Sequence, residues 1–237
     1  MAAMKMRVTG DGPPVLLLHG LGATGAVWDG LSKRPGHRWL APDLPGHGGS
    51  PQLVRYSFGG LAAAVAEALP EEPLIVIGHS LGGVVALALA TGWFGVDVSR
   101  VLAVGVKVEW SDDDLARAAA MAAKPSRVFE TREDAERAYL KISGLTGLAP
   151  ADPAGIVEGE DGWRLALDPR AFGVGAPDMP GLLRAARCPV GLAAGEHDPM
   201  SRPEHLRALG AEPSVIPRLG HNAHVEDPDA LLGLLTR

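Results

Sequence analysis

The chain has 237 residues, of which 46% are hydrophobic and 21% charged, enough apolar material for one sizeable core and too much for a disordered chain. Its formal net charge is −6, with acids and bases interspersed, so no basic face is available to neutralise phosphates and nucleic acid is not an expected partner. The single cysteine, Cys188, excludes an intramolecular disulfide framework and a multi-cysteine zinc site.

From the N-terminus, Met1 to Gly10 alternates polar and apolar residues and lacks the roughly 7–15-residue apolar core of a signal peptide. No later stretch reaches the roughly 18 apolar residues of a membrane span. A cytoplasmic location with no membrane partner is the expectation.

Val15–Leu18 is a continuous apolar run stopped by His19-Gly20, the form of a strand buried on both faces. His37–Leu40 is a weaker strand ending at Pro42-Asp43, and Tyr56–Leu69 is an alanine-rich helix that stops at Pro70. Leu74–Ile77 before Gly78 repeats the buried-strand form. Leu81–Ala90, apolar nearly all round, reads as a helix buried against the sheet. Val101–Val104 before Gly105 is the next strand.

From Glu109 to about Arg187 no buried-strand run occurs. Asp112-Asp113-Asp114 head an alanine-rich helix, Leu115–Ala123; a charged helix, Arg132–Lys141, follows, and then a Gly/Pro-rich passage from Gly144 to Pro180. Strand and helix return with Val190–Ala194, Pro203–Leu209, Ser214–Ile216 and Asp229–Leu235, the last started by Asp227-Pro228. Such alternation indicates an α/β domain with a parallel sheet. Residues 1–108 and 187–237 form its core, and 109–186 are a cap, or lid, inserted over the C-terminal edge of the sheet.

Gly78-His79-Ser80-Leu81-Gly82 is a G-x-S-x-G stretch between a buried strand and a buried helix, the context a nucleophile elbow requires. A serine hydroxyl needs a base to take its proton and a carboxylate to orient that base. Asp198 and His221 each follow a predicted strand at its C-terminal end, where loops lean over Ser80. Asp112, Asp113 or Asp114 is a rival acid, although helix capping accounts for them too. His224 is a rival base.

With these residues in place the chain resembles the α/β-hydrolase superfamily in its esterase and lipase-like branch, over essentially its whole length. The resemblance is carried by His19-Gly20-Leu21-Gly22, by Asp43-Leu44-Pro45-Gly46-His47-Gly48-Gly49-Ser50, by the elbow, by Gly195-Glu196-His197-Asp198, and by Gly220-His221 with Glu226-Asp227-Pro228 behind it. It implies an α/β-hydrolase fold: a mostly parallel central sheet with helices on both faces and a helical cap insertion. It further implies a Ser80, Asp198, His221 triad in the order Ser, Asp, His, and an oxyanion hole from the backbone N–H groups of Leu21 and Leu81. The implied reaction is hydrolysis of a small or medium carboxylic ester, thioester or lactone through an acyl-enzyme, with no metal and no other cofactor. The partner is a small ester-like molecule; oligomeric state is not readable.

Trp28, Met121, Phe129, Tyr139, Trp163, Phe172, Met179 and Met200 are candidates for the acyl pocket, unless the cap residues among them form its own small core; the cap bases Arg127, Arg132, Arg137, Lys141, Arg164 and Arg170 read mostly as solvated faces, one of which, turned inward, would select an acidic acyl group or a lactone carboxylate. His79, His19 and His47 read as loop-packing residues, and His197 and His205 as surface residues. Other readings stay open: a C–C hydrolase or enol-lactonase of the same fold, or a catalytically silent small-molecule binding protein. Gly20-Leu21-Gly22-Ala23-Thr24-Gly25 with Asp43 downstream also matches a dinucleotide-binding fingerprint. That reading leaves Ser80, Asp198 and His221 unexplained.

Overall fold

The structure, a computed structural model, describes residues 3–235. In chain order its elements are β1 (Met6–Thr9), β2 (Pro14–Leu18), α1 (Asp29–Ser32), β3 (Arg38–Pro42), α2 (Phe58–Ala66), β4 (Leu74–His79), α3 (Leu81–Ala90) and β5 (Val98–Val104). There follow α4 (Asp112–Ala122), α5 (Arg132–Ser143), β6 (Ile156–Gly159), β7 (Gly162–Leu165) and α6 (Met179–Ala185). The chain closes with β8 (Val190–Gly195), α7 (Pro203–Arg207), β9 (Ser214–Ile216), α8 (Ala223–Glu226) and α9 (Pro228–Leu235).

Seven strands form one sheet in the order β1-β3-β2-β4-β5-β8-β9. Only β1 runs antiparallel to its neighbour, pairing Met6 with Pro42 and Thr9 with Trp39. In β2 successive side chains leave opposite faces: Leu16 and Leu18 enter the core beneath α2 and α3, while Val15 and Leu17 enter the one formed with Trp28, Leu31 and Leu231. Both faces are covered, so the sequence shows a continuous apolar run rather than alternation. The same reason makes every residue of α3 buried. It lies on the sheet between α2 and α6.

The segment between β5 and β8 has an apolar cluster of its own, built from Phe129, Ala135, Tyr139, Leu145 and Ile156. It also holds the β6–β7 hairpin, with Gly159 opposite Gly162, an element not expected from a segment without a buried-strand run. Its strands are four residues long and mostly half-buried, with only Ile156 fully buried, so neither forms a buried apolar run. The turn is Glu160-Asp161, and the Asp161-Gly162 step that leads into β7 is the signal in the sequence.

Polar contacts tie this segment to the loops at the sheet edge. Gly48 N–H donates to Ala166 O at 2.7 Å, Asp168 N–H to Gly46 O at 2.8 Å, and Asn222 Nδ2 to Gly144 O at 3.0 Å. Among the described residues no helix is long and apolar enough to cross a membrane.

Candidate active site

β4 ends at His79 and α3 begins at Leu81, so Ser80 alone makes the turn. It does so at φ 50°, ψ −115°, a conformation that L side chains rarely adopt. The strain persists because the surroundings are too tight to relax. A Cβ on Gly78 would stand 2.2 Å from Gly82 O, and one on Gly82 2.2 Å from Leu18 O. Glycine at both positions lets the first turn of α3 press on the ends of β2 and β4. Leu81 N–H, at the head of the helix, has no acceptor within it, and the helix N-terminus favours negative charge there.

Asp198 and His221 come from the loops after β8 and β9. His221 Nδ1 lies 2.9 Å from Asp198 Oδ2, while Asp198 Oδ1 accepts from the N–H groups of Met200 at 2.8 Å and Ser201 at 3.0 Å. The Asp198 side chain is fully buried. Burial alone would raise its pKa, but the hydrogen bond and charge of His221, with the two backbone donors, outweigh it and hold the carboxyl below its ordinary value. An ionised carboxylate accepts only, so Nδ1 of His221 carries a proton and Nε2 is left for other chemistry. Glu226 Oε2 accepts from Gly220 N–H at 2.9 Å and steadies the turn that presents His221.

Ser80 and His221 open on one cavity of about 420 Å³, whose wall also includes Leu21 and Leu81. Phe172 and Met200 lie on its wall, together with Phe58, Val84, Trp110, Ile142 and Val174. Nothing in the sequence separates these five from ordinary core residues. Trp28 and Met179 are elsewhere: both are buried, Trp28 in the core on the α1 and α9 side of the sheet and Met179, at the head of α6, in the core with α3. Met121 faces Lys124 on α4 and is not among the residues of the wall.

The rivals for acid and base have other employment. Asp112, Asp113 and Asp114 form the first turn of α4, where Asp114 completes a capping box with Ser111 and holds Lys107 Nζ at 2.7 Å. His224 is 1% exposed, packs against Trp28 with ring centroids 4.5 Å apart and is held by burial, and then by the charges of His221 and His19, at a pKa of about 3. Asp43 is 2% exposed and accepts from Gly25 N–H at 2.8 Å and Gly49 N–H at 2.9 Å, which organises the turn and keeps the carboxylate out of reach of a ribose. The glycine cluster opens a single 3₁₀ turn, Gly25–Trp28, and a four-residue α1, not the long helix of a dinucleotide fold.

His19 accepts from Leu44 N–H at 2.8 Å through Nε2 and donates through Nδ1 to Gly20 O at 2.8 Å, the loop-packing role expected of it. His197 is exposed, and His205 pairs with Glu109 at 3.3 Å.

A doubly covered, mostly parallel sheet with a strained serine at a strand-to-helix turn defines the class. The chain belongs to the alpha/beta hydrolase family, whose model matches residues 15–234. Over 108 residues it is 42% identical to the magnesium-chelatase 30 kDa subunit of Rhodobacter capsulatus. Over 102 residues it is 40% identical to a pimeloyl-[acyl-carrier protein] methyl ester esterase of Methylococcus capsulatus. Each match takes in 42% of this chain, and they span 36% and 40% of those relatives' own length. Among solved structures, E-2-(acetamidomethylene)succinate hydrolase has the same fold, with a TM-score of 0.81 at 24% identity over 98% of this chain and 93% of that one.

Proposed function

We propose that the protein is a serine hydrolase that cleaves a small or medium carboxylic ester through an acyl-enzyme on Ser80. The observation that carries this is the convergence of the strained Ser80 and the Asp198-held His221 on one largely apolar cavity. Partial likeness to an acyl-carrier-protein methyl ester esterase supports an ester over other substrates of the fold.

Ser80 Oγ attacks the carbonyl carbon while His221 Nε2 takes its proton. Asp198 keeps the imidazole in one tautomer and stabilises the imidazolium. The carbonyl oxygen, now negative, accepts from the N–H groups of Leu21 and Leu81, helped by the N-terminus of α3. Collapse breaks the acyl C–O bond, and the leaving alkoxide takes the proton from His221. Water, deprotonated by His221, then cleaves the acyl–Oγ bond and regenerates the serine. Residues 109–186 form a cap over the cavity, with Ile142, Phe172 and Val174 contributing its far wall.

The test is labelling with a fluorophosphonate, located by peptide mass spectrometry, alongside a panel of esters, thioesters and lactones of graded chain length. Stoichiometric label on Ser80 with turnover of short esters is the expected result. Absence of both would overturn the proposal in favour of a silent binding protein.

A further inference from the structure

The reaction above uses Ser80 and gives no part to its neighbour, His79. Although it borders the cavity, His79 is 4% exposed, and a buried imidazole needs partners for its polar atoms. Its Nε2 lies 2.9 Å from the main-chain carbonyl oxygen of His221, 142 residues further along. A carbonyl only accepts, so Nε2 carries the proton and donates, and Nδ1 is bare.

On the Nδ1 side the backbone comes unusually close. A Cβ on Gly20 would stand 2.8 Å from that nitrogen, so glycine alone allows the loop bearing Leu21 to lie against the ring. The rings of His224 and His221 pack beside it, at 4.2 and 4.7 Å between centroids. Burial, followed by the charges of His224 and His221, holds His79 well below the ordinary histidine range. It is therefore neutral at neutral pH, and the hydrogen-bonded tautomer persists.

We propose that His79 is a positioning residue: its Nε2–H bond to the His221 carbonyl and its contact with Gly20 hold the serine, the base and the Leu21 loop in one register. The proposal rests on the reading of Ser80 and His221 given above and deepens it. These three parts follow β4, β9 and β2 and share no covalent link shorter than a loop and a strand. A misplacement of about 1 Å between reacting groups can cost roughly a hundredfold in rate. The ring touches no reacting atom in this role.

Reach decides the test. In His79→Gln the amide nitrogen stands about where Nε2 does, whereas in His79→Asn it falls one methylene short of the His221 carbonyl. With active sites counted by fluorophosphonate titration, His79→Asn is expected to lose about tenfold or more in kcat with KM within about twofold, and His79→Gln to recover most of it. His79→Met, as long as Gln but with no donor, is expected to match His79→Asn and takes its place if that variant does not fold.

A packing role alone would lower the melting temperature of all three and leave kcat per titrated site unchanged, which would overturn the proposal. Equal kcat losses in the Gln and Met variants would overturn it as well. Wild-type protein that neither labels at Ser80 nor turns over any ester would overturn the serine-hydrolase reading itself; a labelled, active wild type with indifferent variants would overturn only the role of His79.

Discussion

The carboxylate of Asp198 is held from two sides: Oδ2 meets His221 Nδ1 at 2.9 Å, and Oδ1 is taken by the N–H groups of Met200 and Ser201. An asparagine there has no choice of orientation. Its amide oxygen must serve the two backbone donors, which turns its NH₂ towards His221 and drives the imidazole proton to Nε2. Asp198→Asn is therefore expected to lower kcat for ester hydrolysis by about 10³–10⁴-fold with little change in KM. A loss under about tenfold, measured by steady-state kinetics, would assign the orienting acid to another residue.

The backbone at Ser80 predicts an unusual pair of variants. Ser80→Ala and Ser80→Gly should both abolish turnover, because neither has a nucleophile. They should differ in stability: alanine keeps the Cβ at φ 50°, while glycine relieves a strain worth about 1–3 kcal/mol, less the cost of its freer unfolded chain. Urea unfolding is expected to find Ser80→Gly more stable than Ser80→Ala by roughly 1 kcal/mol. The reverse order would mean that the turn is not strained.

Acid should destabilise the fold well above the range in which carboxylates titrate. Burial lowers His19 to about 4 and, with help from neighbouring histidine charges, His47 and His224 to about 3, against 6.5 unfolded. Between roughly pH 6.5 and 4 the unfolded chain therefore binds more protons than the native one, and stability rises with pH. Each ring contributes up to about 1.4 kcal/mol per pH unit. Melting temperature measured from pH 8 to 4 should fall steeply below about 6.5, and less steeply in His224→Phe. A flat profile down to pH 4.5 would contradict the burial of these rings in neutral form.

Two cations border the cavity and differ in their engagement. Lys107 Nζ is bound to Asp114 at 2.7 Å and lies 4.7 Å from the Trp110 ring centroid. On α5, Arg132 and Arg137 pair with Glu136 and Asp134, whereas Lys141 makes no ion pair among the described residues and lies on the cavity wall. Esters with a carboxylate at the far end of the acyl chain should be preferred over neutral esters of equal length by about fivefold in kcat/KM, the worth of a partly exposed ion pair. Lys141→Gln should remove the preference and spare the neutral ester. An unchanged ratio would leave Lys141 as a solvated charge at the end of its helix.

Legibility followed burial. The run Val15–Leu18 falls within β2, and α3 has the bounds Leu81–Ala90 expected of it, because elements covered on every side write themselves as unbroken apolar runs. Tyr56–Leu69 shortens to Phe58–Ala66 with Ser57 as its cap, a change confined to helix ends, where capping outweighs periodicity. The β6–β7 hairpin leaves no such run because its residues are mostly half-buried, and four-residue strands carry too few positions to show a period.

The strand–turn–helix around Ser80, the alternation that builds the sheet, and the positions of Asp198 and His221 after their strands are all legible in the chain before it is folded. These are matters of neighbouring residues, settled by glycine geometry and by local runs of apolar side chains. Which apolar side chains reach the cavity, and what becomes of the buried histidines, follows from packing between distant segments. Phe172 meets the wall while Trp28 and Met179 turn into the cores, and His79 finds the carbonyl of His221. Each outcome depends on contacts between segments far apart in the chain, whose energies no local window of sequence contains.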